Sequence, residues 1–417
     1  MKTKEYALCV LVKLYRKKLN LSQSELAKDI CVPSYLSKIE NGEVEPNSQI
    51  IRLLLEKMGV QFYDESQFSE EETEILSDYF KYIFYFRHME IDGVFERIKA
   101  KKKKYLNSVR FLDYLLIEWH YFIFTRKRFK RQLEIQELLE TVVLLMSDYE
   151  KAIFYFLKAI SENTSDRSGF LKQAIETRNN GYYSFLYATT LIADRNFLQS
   201  IQHIDKAERL FIDEGNFRGL IYSKYYRGII YYLLKDYENS EHHFNGIINL
   251  LDFSNTEDDF IMGFRYFALR YIAYIAQTLN QSDNMIRICK LIIREQEEKY
   301  NKVYTTSPYL ILSDYYFHSA NFSEAEYYLN EAKLRHDSIL TTSRDYEIEL
   351  YQLYMFRLHN ENYLKSRDYE KILMNLKKLV FCRECVHFKE LVYELLKEFY
   401  VANKRYKDAY LIAEKLA

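Results

Sequence analysis

What this chain has little of narrows it first. Its 417 residues include only three prolines and ten glycines. A strand-rich fold of that length would need many more of both for its turns, so the shortage excludes sandwiches and barrels and leaves helices. Cysteines are few and scattered, at Cys9, Cys31, Cys289, Cys382 and Cys385. That usage argues against a disulfide framework and fits a reducing, cytoplasmic compartment. No run approaches the roughly 18 apolar residues of a membrane span, and no charged-then-apolar leader opens the chain. The most apolar stretch, Tyr114 to Phe124, is interrupted by Glu118 and His120 and is expected to be a buried helix. A formal net charge of −1 excludes a polycation. Gly-rich phosphate loops, Ser/His/Asp arrangements and acidic metal clusters are missing, so no enzyme activity, cofactor or metal is expected.

What is present is aromatic and helical. Forty tyrosines and 28 phenylalanines accompany abundant Leu, Ile, Lys and Glu, and the expected class is all-α. The most informative stretch is Leu21 to Gly42, LSQSELAKDICVPSYLSKIENG. Ser22 with Glu25 three residues on makes a capping box for a short helix with Leu26 and Ala27 on its buried face. A turn at Ile30 to Val32 follows, and Pro33, favoured at a first helical position, opens a second helix. Asn41-Gly42 ends it. Two short helices across a tight turn let one brace against DNA while the next enters the major groove. Residues 4–19 are expected to precede them as an amphipathic helix. Pro46-Asn47-Ser48 caps a fourth, about 48–58, whose Ile51, Leu54 and Leu55 close the core.

The order L-S-Q-x-x-L-A, then V, then S-K-I-E-N-G, then Pro46, resembles the Xre/Cro/phage-repressor class of helix-turn-helix over about Tyr6 to Val60. That class carries glycine at the turn position occupied here by Cys31, and cysteine reaches a left-handed conformation only with strain. Residues 1–62 hold ten Lys/Arg against seven Asp/Glu, and a specific DNA binder needs a basic face rather than a basic chain. With Leu36 and Ile39 facing the core, Ser34, Tyr35, Ser37 and Lys38 point outward. Ser34 and Tyr35 are the base-edge candidates, with half-buried packing as the alternative for Tyr35, and Lys38 is expected on phosphate. Gln23 matches the class's backbone-contacting glutamine and is expected to clamp a phosphate. Arg16, Lys17 and Lys18 are weaker DNA-contact candidates, with a solvated face as the alternative.

Three segments are expected: a DNA-binding domain at 1–62, an acidic linker at 63–69, and a repeat domain at 70–417. Asp64 to Glu74 carries six acidic residues and no basic one, and Ser69 caps a new helix whose first turn suits Glu70 to Glu72. Beyond it a motif recurs: a small polar residue, an aromatic, then small or apolar positions at helical spacing. It runs Asp148-Tyr149 (Ala152, Phe156, Ala159), Asn196-Phe197 (Ser200, Ile204, Ala207) and Asp236-Tyr237 (Ser240, Phe244, Ile247). A degenerate copy near Ser282 (Met285, Cys289, Ile292) precedes Asn321-Phe322 (Ala325, Leu329, Ala332). Asp368-Tyr369 (Ile372, Leu376, Leu379) and Arg405-Tyr406 (Ala409, Ala413, Leu416) complete it. Steps of 37 to 48 residues resemble, with longer helices or loops, the tetratricopeptide repeat of about 34. Stacked helix pairs of that kind form a right-handed superhelix with a concave face that suits an extended peptide.

A helix-turn-helix ahead of such a solenoid resembles the RRNPP family of bacterial regulators, which includes the Rgg, NprR, PlcR and AimR types. The resemblance implies a homodimeric transcription regulator that binds double-stranded DNA and takes a short signalling peptide in its repeats. The alternative keeps the DNA-binding domain but docks a partner protein, such as a response regulator, on the repeats. Peptide-contact candidates are the first-helix positions counted back from the aromatic landmarks: Tyr222, Tyr225 and Ile229; Arg270, Tyr274 and Gln277; Leu310, Asp314 and Phe317. Arg270 is a carboxylate holder by its fork geometry; for each residue, inter-repeat packing is the alternative. The resemblance also offers Asn179, Asn180 and Asn196 as grips for a peptide backbone, but they fall at helix ends and read as caps. The Cys382/Cys385 pair lacks the four ligands of a zinc site, His242, His243 and His120 lack metal partners, and Lys99 to Lys104 (KAKKKK) reads as a solvated helix end.

Overall fold

The computed structural model of the chain describes residues 5–45, 47–161, 164–254, 258–299, 301–339, 344–380 and 386–414. Among these residues every extended element is a helix, 23 of them α. The Cys382/Cys385 pair, Pro46 and Leu416 lie outside the described residues. The architecture is the expected one, a helix-turn-helix followed by helical hairpins of the tetratricopeptide kind. No described helix is long and apolar enough to cross a membrane.

The chain divides into two compact units, one of residues 1–191 with 202–219, the other of 192–201 with 220–417. In the first unit α1 (Glu5–Lys18), α2 (Gln23–Ala27), α3 (Pro33–Glu40) and α4 (Ser48–Lys57) enclose Leu26, Leu36, Ile39, Ile51, Leu54 and Leu55. The expected capping box forms, with Ser22 Oγ accepting from Glu25 N at 3.1 Å and Glu25 Oε2 from Ser22 N at 2.7 Å. Gly42 (φ 67°) and Gly59 (φ 71°) end α3 and α4 in the left-handed conformation. Ser69 and Glu72 repeat the box at the head of Glu70–Phe84.

The acidic stretch expected as a linker is held against the segment at 101–110. Tyr63 N donates to Asn107 O at 2.9 Å, Arg110 pairs with Glu65 at 2.7 Å, and Lys104 Nζ donates to Gln67 O at 2.7 Å. From α1, Tyr15 Oη donates to Asn107 Oδ1 at 2.5 Å. The lysine run is solvated only in part, Lys99, Lys101 and Lys103 being exposed. Lys101 and Lys104 pair with Glu72 at 2.9 and 2.7 Å, and Lys102 with Glu118 at 2.5 Å. Both carboxylates are buried, and an uncompensated charge there would cost several kcal/mol, which is why the lysines fold back.

Motif positions fall where close helix approach needs them. Ala152, Ala159, Ile204 and Ala207 in the first unit are fully enclosed, as are Ser240, Phe244, Ile247, Met285, Cys289 and Ala325 in the second. Ser240 Oγ donates to Gly228 O at 2.8 Å, and Ser313 Oγ to Ala325 O at 2.9 Å. In Arg367–Val380 the buried set is Tyr369, Leu373 and Leu376, so Ile372 and Leu379, expected inside, flank the core instead. In Tyr406–Ala413 it is Ala409 with Ile412. The buried apolar positions lie at i+4 and i+7 from Tyr369 and at i+3 and i+6 from Tyr406.

The shortage of glycine is met by left-handed residues that are not glycine. Arg195, Lys235, Asn280, Ala320 and Lys404, each two positions ahead of a motif helix, have φ between 57° and 60°. The next residue closes the preceding helix from Asp236 N to Tyr231 O, Gln281 N to Ala276 O, Asn321 N to Tyr316 O and Arg405 N to Tyr400 O, at 2.8–2.9 Å. These are Schellman closures.

Candidate functional site

The DNA-facing candidates sit on α3. Ser34 and Lys38 are exposed, Tyr35 and Ser37 half-buried, and Leu36 and Ile39 enclosed as expected. Pro33 opens the helix, and Val32, at its N-cap with 63% exposure, supplies no capping side chain. Pro33 has no N–H and Tyr35 N and Leu36 N donate to Val32 O, so Ser34 carries the amide of the first turn that the helix leaves unbonded.

A buried carboxylate ties α1, α2 and α3 together. Glu40, at the end of α3, has a side chain 1% exposed. Arg16 Nε and Nη2 grip its two oxygens at 2.5 and 2.7 Å, and Gln23 Nε2 donates to Oε2 at 2.9 Å. Burial raises the Glu40 pKa, but the Arg16 and Gln23 hydrogen bonds outweigh it and the net direction is down. Arg16 thus belongs to the interior pair rather than to a solvated face. Gln23 spends one amide hydrogen on Glu40 and keeps a second.

Cys31 is not strained. The left-handed residue of the turn is Asp29 (φ 65°), two positions earlier. Aspartate tolerates that conformation far better than cysteine. Cys31 is partly buried, and its thiol pKa is raised by desolvation.

In the second unit the expected peptide-contact residues lie on the helices that precede the motif helices: Tyr222 and Tyr225 on Phe217–Leu233, Arg270, Tyr274 and Gln277 on Asp259–Thr278, Asp314 on Ser307–His318. Tyr222 and Tyr225 pack on Phe264, with ring centroids 4.7 and 5.3 Å apart. Arg270 is only 3% exposed and lies 3.9 Å from the enclosed Glu347, so the carboxylate it faces is the chain's own. Glu347 also accepts from Thr306 N at 2.6 Å and Ser307 Oγ at 2.8 Å, which pins the start of Ser307–His318. Asp314 accepts from the buried Arg357 at 3.1 Å. Tyr222, Tyr274 and Gln277 remain partly open.

Asn180 and Asn196 act as caps, accepting from Tyr182 N at 2.8 Å and Gln199 N at 3.4 Å. Asn179 instead lines an open cavity of about 510 Å³ with Gln202, His203, Lys206, Arg209 and Leu210. His243 stacks on Tyr231, and His120 is enclosed with Nδ1 3.0 Å from Tyr79 Oη. No group of three or more potential metal ligands occurs among the described residues. Arg16–Glu40 and the cavity were missed from the sequence because each joins positions that no local spacing rule relates.

The helix-turn-helix family matches residues 12–64. No curated protein matches the chain in sequence. Among solved structures, the apo form of the quorum sensor NprR from B. thuringiensis is similar at 13% identity and a TM-score of 0.56, covering 83% of this chain and 98% of that one. Apo RapI is similar at 12% identity and 0.59, with the same coverages. The chain shares the helical-repeat fold of these proteins. NprR in complex with its cognate peptide NprX shares that fold with this chain at 15% identity and 0.52, covering 82% of this chain and 97% of that one. The helix-turn-helix at 12–64 thus precedes a helical repeat array of the kind these structures contain.

Proposed function

We propose that this chain is a sequence-specific DNA-binding transcription regulator of the cytoplasm whose repeats take a short signalling peptide and couple it to dimer geometry. The open face of α3, with Ser34, Tyr35 and Lys38 beside an uncapped helix start, carries the DNA half of that reading. Ser34 and Tyr35 read base edges, Lys38 and the spare Gln23 hydrogen hold phosphates, and Ser37 lies alongside. The peptide half is supported by the fold shared with NprR, which binds NprX. In a homodimer two copies of α3 meet half-sites one or more DNA turns apart. A peptide that prefers one arrangement of the repeats shifts DNA affinity only by that preference.

The test measures operator affinity and dimer state with and without short peptides from the producing culture. Changing Tyr35 and Lys38 to Ala should remove specific binding, at ~1–3 kcal/mol per lost base contact, with helicity intact. Unchanged operator affinity would refute the site. If no peptide alters affinity or assembly, the receptor reading fails.

A further inference from the structure

Arg270, the guanidinium expected from the sequence to hold a ligand carboxylate, already faces Glu347 inside the protein. A different cluster is open and cationic. His203, Lys206 and Arg209 recur at intervals of three along Phe197–Asp213 and therefore share one flank of it. They line the cavity of about 510 Å³ together with Asn179, Gln202 and Leu210. That volume lies within the range of small-ligand sites, roughly 300–1,000 Å³.

No carboxylate lines the cavity. Arg209 Nε donates to Asp205 O at 3.2 Å, and the cationic heads of Lys206 and Arg209 otherwise line the cavity. The His203 ring stands edge-on to Tyr187, centroids 4.6 Å apart. Its Nδ1 is enclosed and meets no hydrogen-bond partner among the described residues. A buried ring nitrogen without a partner costs stability unless something satisfies it. Burial, with Lys206 and Lys172 nearby, lowers the His203 pKa, so the ring is neutral and offers one donor and one acceptor.

The amides narrow the class of anion. Phosphate oxygens mainly accept, whereas Asn179 and Gln202 each offer a donor and an acceptor, the complement of a peptide bond. Leu210 supplies an apolar contact for a side chain. We propose that this cavity is the anchor for the C-terminal carboxylate of a short peptide, with Lys206 and Arg209 binding the carboxylate and Asn179 and Gln202 the last peptide bond. The assignment rests on the peptide-receptor reading and moves the carboxylate-holding role from Arg270 to a site on a motif helix.

The experiment uses the full chain and a randomised pool of seven-residue peptides, made once with free C-terminal carboxyls and once C-terminally amidated. Retained peptides are identified by mass spectrometry. The free-acid pool should yield binders, and amidation should weaken them by roughly tenfold or more, the worth of one charged hydrogen bond. K206A/R209A should lose the same factor while keeping its helical circular dichroism, since both side chains reach solvent. Equal retention of acids and amides, or a variant that holds acids as well as the parent, overturns the assignment. If the parent retains neither pool, the receptor reading fails by itself. The anion site is then read from the His203 ring resonance during acetate titration. A shift in the parent that is absent from K206A/R209A supports the site, and no shift in either overturns it.

Discussion

Removing the Arg16 guanidinium should be the most damaging single change in the DNA-binding domain. Glu40 is almost completely enclosed, and Arg16 and Gln23 supply the three side-chain hydrogen bonds that hold it charged. In R16A two charge-assisted bonds vanish and an anion stays behind in the core. Breaking one side of such a pair costs about 3–5 kcal/mol, a third or more of a domain stability of about 5–15 kcal/mol. Chemical denaturation followed by circular dichroism measures it. The pH dependence supplies a second check. The Glu40 pKa is lowered in the folded parent, so its stabilising share is present above the ordinary carboxylate range and is lost as pH falls. Without Arg16 burial dominates, the pKa rises, and the variant sheds its penalty by taking up a proton. The gap between parent and R16A should therefore be widest near neutrality and should narrow with acid. R16M/E40L, which fills the same space with apolar atoms, should recover most of the loss. The reasoning is refuted if R16A costs less than about 1 kcal/mol, or if the gap does not change with pH.

Other perturbations test other parts of the molecule. A Cβ at Gly228 would sit 2.8 Å from the Phe244 ring. G228A should therefore lose about 1–3 kcal/mol by overpacking, and G228A/F244L should lose less than the two single changes summed. The His120 pKa is lowered by burial to about 3. Below the unfolded value only the unfolded state takes the proton, so stability should fall by about 1.4 kcal/mol per pH unit through that window. Urea midpoints of H120Q against the parent check this, and equal slopes would refute it. Y15F removes the hydroxyl bonded to the buried Asn107. It should cost about 1–3 kcal/mol, read by thermal unfolding, and no change would show that the contact carries nothing.

Local rules made much of this protein legible. Capping boxes, helix-stop glycines and apolar spacing act over three or four residues, so Ser22 with Glu25, Ser69 with Glu72, and Ala152, Ser240 and Ala325 could be placed from the sequence. The same rules put Ser34 and Lys38 on an outward face. Where they misled, a long-range contact had overridden a local preference. The KAKKKK run looked solvated because Glu72 and Glu118, its partners, lie about 16 to 32 positions away. Arg16 looked exposed because Glu40 is 24 residues on.

Other decisions belong to the tertiary structure alone. The left-handed residue of the turn between α2 and α3 is Asp29 rather than Cys31. Whether an arginine is free to receive a ligand depends on the charges folded against it, and Glu347, 77 positions from Arg270, answers that one. Composition, caps and periodicity determined that the chain is a helical array behind a helix-turn-helix. Burial and pairing across the fold decided which charges are spent internally and which, like Lys206 and Arg209, still face open space.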